Sequence, residues 1–453
     1  MKRLIPVLAL ALVGCAGSGP AQAPETHTGL NPSLRASGKY CGFPAPRTQK
    51  VFTGKAISHV SRLPTATELR AMRPLLVIAS NIRGLPLKKP IDIRVQNQAA
   101  IRHYLSSQIK VEDLKEASAI YGALGLLDED TDLGALLLDV LSEQVVGYYD
   151  PEHRYLVVRD DVLSGLATDS TTDPGESHAV LIHEIVHALQ DQHLALGKLH
   201  KLERSSDADG AFQSLVEGDA TLAMLAFLGE RAGVNIRQLT DDPNILRAVL
   251  TQVPMSTMPS DVLSRSPEIL RVLLLSPYID GLIFSASLYR EGGWQALNAA
   301  YRHLPTTTSQ ILHPEHFLKS DAPAASKFAP FPPRLPGGYR LVYSDALGEL
   351  TWRVYLGQVL PNADAEQRAS AWRADRIAIY QDSHARLSAA WLSRWSSVSA
   401  AKSVQEATAK VEAKSAPRVC RTMNRSYRNG DHFLSTRALS DKAAAVLARS
   451  LLR

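Results

Sequence analysis

The stretch Leu181–His193, LIHEIVHALQDQH, limits what this chain can be more than any other. Asp173-Pro174 followed by Glu176 reads as an N-cap, a proline at the first helical position and a capping acid, and Gly197 reads as the stop. Between them Ala179, Ile182, Ile185, Val186 and Leu189 recur at helical spacing and mark a buried face. His183 and His187 are four residues apart, so on a helix they lie about 40° apart around the axis and both point at one spot. Two converging imidazoles with an acid beside the first are the parts of a zinc site. Glu184 is then placed to act as general base on a water at the ion. The pattern is H-E-x-x-H, on the side of the helix away from the apolar stripe.

A zinc site needs a third protein ligand, and two residues compete. His193 occupies the last position of the longer H-E-x-x-H-x-x-G-x-x-H pattern, and Met255 and Met258 offer a nominal methionine turn. That pattern needs its glycine, because the chain must leave the helix for the last histidine to swing back. Here the position is Gln190. If the helix continues, His193 points about 100° away from the midpoint of the His183/His187 pair. Glu217 lies in LVEGDAT, on a second amphipathic helix that starts near Asp207. Its neighbours Leu215, Val216, Leu222 and Ala223 are apolar, and a carboxylate buried among them needs a partner such as a metal ion. Gly218 and Ala220 are small, as expected where the second helix packs closely on the first. The expected ligands are therefore His183, His187 and Glu217. Asp219 and Asp191 are candidates for outer acceptors on a ligand histidine.

Together HEIVH and LVEGDAT resemble a set of bacterial zinc metallopeptidase-like lipoproteins, zincins of the gluzincin type. GYYDPEHRYLVV resembles their strand pair upstream of the active helix, and SPYIDGLIFSASLYREGGW and TTTSQILHPEHFL resemble their downstream helix and loop. LGEL with WRADRIAIY resembles a further C-terminal segment, with WRAD departing from the glycine-rich form expected there. The likeness runs from about Gly122 to Tyr380, strong at the zinc motif and loose elsewhere. It implies an edge strand, Gly147-Tyr148-Tyr149, that binds peptide by strand addition. It also implies an oxyanion stabiliser, for which Tyr278, His313 and Tyr149 are candidates. The implied activity is zinc-dependent peptide hydrolysis, an endopeptidase rather than an exopeptidase, acting on a peptide or protein. The alternative is a non-catalytic zincin-fold lipoprotein that binds or scaffolds.

The N-terminus adds a location. Lys2 and Arg3 precede the apolar run LIPVLALALV, too short to span a bilayer, and Leu12-Val13-Gly14-Cys15 resembles a lipobox. Residues 1–14 read as a lipoprotein signal peptide and Cys15 as the lipidated residue. Residues 15–45 read as a flexible tether, and no later run is expected to reach transmembrane length. Ala16 after the cysteine implies export to the outer membrane, so the expected location is the cell envelope, facing the periplasm or exposed at the surface. Export means an oxidising compartment, where Cys41 and Cys420 can pair. From Lys402 to Arg453 there are 11 Lys/Arg against 4 Asp/Glu, within a formal net charge of +5. Such a tail can meet anionic partners, but export removes most nucleic acid, so no nucleic-acid partner is expected.

Strand then helix is expected over Lys88–Leu105, helices over Lys110–Leu124 and Leu133–Gln144, and a hairpin at Gly147–Val158. Further helices are expected at Pro267–Leu275, Ile279–Arg290, Trp294–His303, Ala365–Trp372 and Ala385–Trp391. Asn429-Gly430 marks a turn between strands ahead of a last helix from Ser440. The expected class is α+β, predominantly helical: a zincin-like core with an active-site helix, a small mixed sheet or hairpin, and a helical C-terminal part. The zincin-like domain is expected over residues 46–400, and a basic appendage of hairpin plus helix over 401–453.

Overall fold

A computed structural model describes residues 42–43, 61–128, 130–168, 174–241, 246, 261–319, 328–415 and 423–452. The signal segment, Cys15, nearly all of the tether, Cys41, Cys420, Met255, Met258 and the Asp173 cap lie outside these residues. The fold is α+β with helices predominating, in two compact units. One comprises the described parts of Thr48–Lys115 and Asp132–Ala322, the other those of Ala16–Arg47, Glu116–Thr131 and Pro323–Arg453.

The first unit begins with α1 (Ala66–Arg83), β1 (Asp92–Gln96), α2 (Gln98–Gln108), α3 (Val111–Leu124, whose second half belongs to the other unit) and α4 (Leu133–Gln144). The hairpin β2 (Gly147–Asp150) and β3 (Tyr155–Arg159) follows, then α5 (Asp160–Ala167). β3 pairs in parallel with β1 and antiparallel with β2, giving the small mixed sheet with β2 at one edge. Next come α6 (Pro174–Leu194), α7 (Leu196–Leu199), α8 (Ser206–Arg231), α9 (Ile236–Thr240), α10 (Asp261–Arg265), α11 (Glu268–Ala300), α12 (Thr308–Leu312) and α13 (Pro314–Leu318). The stripe Ile182, Ile185, Val186 and Leu189 packs against Met72, Leu75 and Ala79 of α1, Leu156 and Val158 of β3, and Ala220 and Ala223 of α8.

Three details differ from the sequence reading. Helix α6 stops at Leu194 because Ala195 takes the left-handed conformation. Gly197 serves a close approach instead: a Cβ there would lie 2.7 Å from the Pro151 carbonyl of the hairpin. The segments 267–275 and 279–290 are one helix running through Pro277, and the break falls at Gly292 and Gly293. Finally, α8 and α11 are long and apolar enough to cross a membrane by length and composition, against expectation. Both are mostly buried within the fold, and their apolar residues (Phe212, Leu222, Leu282 and Phe284 among them) form its core.

The second unit is built on a six-stranded antiparallel sheet in the order β4-β5-β6-β7-β9-β8. Its strands are β4 (Arg334–Leu335), β5 (Tyr339–Asp345), β6 (Trp372–Gln381), β7 (Leu387–Trp395), β8 (Arg425–Asn429) and β9 (His432–Arg437). The helices are α14 (Gly348–Gly357), α15 (Asn362–Ala369), α16 (Val398–Ser415) and α17 (Asp441–Leu451). The C-terminal part, expected to be helical, thus carries the larger sheet. Ala385–Trp391 is not a helix: seven consecutive residues of β7, Leu387–Ser393, are buried, so the strand shows no alternation and its alanines fit between covered faces. The expected boundary at 400/401 falls inside this unit, because β9 pairs with β7 and α16 spans the junction. Asp375 of β6 pins the sheet: its carboxylate accepts from Leu347 N and Gly348 N at 3.0 and 3.2 Å, and from the indoles of Trp352 and Trp391 at 3.1 and 2.9 Å. The two indoles stack with centroids 3.7 Å apart.

Candidate metal centre

His183 and His187 project from one face of α6 and Glu217 from the middle of α8, and all three are buried. His183 Nε2 lies 3.0 Å from His187 Nε2 and 3.1 Å from Glu217 Oε2, and His187 Nε2 lies 3.5 Å from the same oxygen. Three ligands of a tetrahedral ion with bonds of about 2.0–2.1 Å stand about 3.3 Å apart, so this triangle has the size of such a site. Among the described residues it is the one group of three or more His, Cys, Asp or Glu side chains close enough to hold a metal ion. Two ring nitrogens and a carboxylate oxygen converging in a buried spot is also a poor hydrogen-bonded arrangement, since the two Nε2 atoms bond each other only if one keeps its proton.

The electrostatics follow from burial and proximity. Burial works to raise the Glu217 carboxyl, yet the imidazoles of His187 and His183 hold it down to about 2. Burial works to lower His187, but the charges of Glu217 and Glu184 raise it to about 9. His183 is shifted downward, chiefly by burial. The Glu184 carboxyl is pushed up to about 8 by burial, with the Glu217 charge adding, against His187 and a backbone N–H.

That N–H belongs to Tyr149, which donates to Glu184 Oε2 at 3.0 Å, while Glu184 Oε1 meets no hydrogen-bond partner among the described residues. The edge strand β2 is therefore tied directly to the acid of the motif. Within that strand the roles divide. Tyr148 is a core residue, stacked on Tyr104 at 4.3 Å with its hydroxyl donating to Gln96. A Cβ on Gly147 would lie 2.6 Å from the Val157 carbonyl, so its glycine serves the pairing with β3. Of the three, Tyr149 is the one joined to the motif helix, through Glu184 and through its hydroxyl on Asp191 at 3.0 Å.

Neither candidate outer acceptor bonds a histidine of the triangle. Asp191 accepts from Tyr149 and from Gly197 N at 2.7 Å, with Arg154 at 3.5 Å, because it points at the hairpin. Asp219 accepts from Arg83 Nε at 2.5 Å, the second Arg83 nitrogen at 3.0 Å, Gln190 Nε2 at 2.9 Å and the Tyr301 hydroxyl at 3.0 Å. The acceptor on a histidine of the triangle is Gln190, whose Oε1 lies 2.8 Å from His187 Nδ1. In the sequence, Gln190 stands out only as the absence of a glycine. Its i+3 spacing from His187 was the available signal. Arg83, 136 positions before Asp219, leaves no local trace.

His193 is turned away, its ring nitrogen 2.6 Å from the Pro86 carbonyl. Tyr278 of α11 comes to the cluster: its ring stacks on His183 with centroids 6.1 Å apart, and it is paired with Glu217. Burial, then the Glu217 and Glu184 charges, raise its hydroxyl well above the ordinary tyrosine range, so it keeps its proton. His313 sits at the junction of α12 and α13, packed on His316 at 5.0 Å with Glu315 at 3.9 Å, and takes no part in the cluster. Gly218 does not face α6 as expected but packs on α11, where a Cβ would lie 2.0 Å from the Gly281 carbonyl. Ala220 does face α6.

Comparison with known proteins adds one match. A domain of unknown function, DUF8575, matches residues 339–448. The match covers the sheet of the second unit from β5 onward and does not reach the His183/His187/Glu217 cluster. No curated protein and no solved structure matches the chain.

Proposed function

We propose that this chain is a zinc-dependent peptidase, with zinc held by His183, His187 and Glu217. The observation that carries the proposal is the triangle of 3.0, 3.1 and 3.5 Å between the three donor atoms, with Glu184 on the same helix turn. Two imidazoles and one carboxylate from two helices leave a tetrahedral ion one open position, the arrangement of catalytic rather than structural zinc. Bound there, zinc would supply Lewis acidity toward water and a peptide carbonyl. Glu184, one position after the first ligand on the same turn, takes a proton from the attacking water as its carboxylate, the form that a cation bound beside it would favour, and passes it to the leaving amine. The Tyr149 N–H holds Glu184 in place, so the strand expected to bind peptide also orients the base. Tyr278 carries a retained proton beside Glu217 and is the best placed of the three oxyanion candidates.

The lipobox-like Leu12–Cys15 supports a location in the cell envelope, with acylated Cys15 as the tie to a bilayer and a peptide or protein as the substrate. A second reading, a zincin-fold lipoprotein that binds without turnover, is favoured by one feature. Glu184 is buried and already engaged with a backbone N–H. Zinc content and cleavage of a mixed peptide library by wild type and Glu184→Gln separate the two. The peptidase reading expects zinc in both proteins and cleavage by wild type alone. Zinc in both with equal cleavage removes Glu184 as the base, and zinc with cleavage by neither favours the binding protein.

A further inference from the structure

The side chain of Gln190 is fully buried three residues after His187, and its amide has two unlike ends. Nε2 faces the Val216 carbonyl at 3.2 Å and Asp219 Oδ2 at 2.9 Å. Both can only accept, so the NH2 must point at them. The Oε1 end is then left to face His187 Nδ1 at 2.8 Å, and since an amide oxygen only accepts, Nδ1 must carry a hydrogen. Where a metal takes the place of the Nε2 proton, an imidazole that keeps its hydrogen at Nδ1 offers its lone pair from Nε2, which is the atom that enters the triangle with His183 and Glu217. We infer that Gln190 is a positioning residue that fixes His187 in the metal-binding tautomer, taking its own orientation from Asp219 and, behind that, from Arg83. The inference rests on the metal-site reading above.

The far end of the chain of contacts cannot easily turn round. The Asp219 carboxylate receives Arg83 on both oxygens, and Gln190 and Tyr301 join the second Arg83 nitrogen on Oδ2, so the oxygen that faces Gln190 is fully used as an acceptor. Arg83 in turn donates to Asn298 Oδ1 at 2.7 Å and lies over the Trp294 ring at 4.6 Å. A flip of the Gln190 amide would set its oxygen against Val216 O and Asp219 Oδ2, two acceptors without a proton to offer. His183 has no counterpart: its Nδ1 is buried and meets no hydrogen-bond partner among the described residues. The two histidines of the motif are therefore unequal, with His187 oriented from behind and His183 held by the triangle itself.

The isosteric change Gln190→Glu discriminates sharply. A carboxylate accepts from His187 Nδ1–H as well as an amide does, but it has nothing to donate to Asp219 and Val216. Gln190→Met removes the acceptor with little change of shape and no new charge, and serves if the glutamate variant fails to fold. Zinc affinity of the full chain is measured by competition with a chromogenic chelator, alongside melting of the metal-free proteins. Ring nitrogen shifts are read by NMR in histidine-labelled, zinc-loaded protein, with His187 assigned through the signal lost in His187→Gln. The expected result is zinc affinity lowered about 10–100-fold in both Gln190 variants. Wild type is expected to show His187 with Nε2 on the metal and an Nδ1–H shifted by its hydrogen bond to Gln190, a shift that Gln190→Met is expected to lose. Unchanged affinity in Gln190→Met, or a wild-type His187 bonded to zinc through Nδ1, overturns the inference. A wild type that binds no zinc overturns the metal-site reading beneath it.

Discussion

Replacing Gly281 by alanine adds one methyl group at the place where α8 and α11 come closest. A Cβ built there lies 2.2 Å from the Ser214 carbonyl oxygen, with the Ser214 C and Cα at 3.0 and 3.1 Å. An ordinary Cβ contact begins at 3.4 Å, so the shortfall exceeds 1 Å, and every atom in the way is backbone. No rotamer change relieves it; the helices must part or slide. Alanine returns about 1 kcal/mol through its better helix propensity. Overpacking costs about 1–3 kcal/mol where side chains can adjust, and more where they cannot. Parting the helices would also loosen the buried Leu282, Phe284 and Leu222. The net expectation is a loss of about 2 kcal/mol or more, equivalent to a melting temperature lower by about 4–8 °C for a unit of this size. Glu217 adjoins Gly218, whose own Cβ would lie 2.0 Å from the Gly281 carbonyl, so metal retention should fall as well. Urea unfolding and metal content of Gly281→Ala and Gly218→Ala test both parts. Stability within about 0.5 kcal/mol of wild type, the range of an inconsequential surface change, with metal retained, would show that this glycine contact does not lock the helices.

Four further changes bear on the cluster and on other parts of the structure. His193→Ala should leave metal content unchanged in elemental analysis, because its ring is spent on the Pro86 carbonyl, whereas His183→Ala should abolish binding. Asp375→Ala strips an acceptor from two backbone N–H groups and two indoles. At about 1–3 kcal/mol for each buried donor left unpaired, this should unfold the second unit at markedly lower urea and shift the fluorescence of the Trp352/Trp391 pair. Glu68, held down to about 2 chiefly by Arg62, contributes stability that is complete above its ordinary value near 4.5 and is lost as pH falls toward 2. With Arg62 exposed, its share is about 1 kcal/mol, and Glu68→Gln should lower stability at pH 7 while making little difference at pH 2.

The motif helix and the residues of the His183/His187/Glu217 cluster were legible because both are written locally. The 3.6-residue stripe from Ala179 to Leu189 fixed which side is apolar, and the i, i+4 histidines shared another. Glu217 stood out as a carboxylate in an apolar run, which is a statement about burial that needs no structure. The outer contacts were not legible in the same way. Asp219 and Asp191 were both reasonable acceptors, and only the packing of α1 and of the hairpin shows that Arg83 and Tyr149 claim them. The larger sheet was missed where its strands are covered: β7 is rich in alanine and shows no alternation, so its letters read as helix. Pro277 misled in the opposite direction, since its surroundings in the core keep α11 continuous through it.

The central claim is a metal centre of two imidazoles and one carboxylate, and X-ray absorption at the zinc edge on the purified full chain addresses it directly. The expected result is one zinc per chain, two nitrogen ligands from imidazole and the remainder oxygen, at about 2.0–2.1 Å, with the metal lost in Glu217→Ala. A spectrum showing three imidazoles, or protein that takes up no zinc, would contradict it.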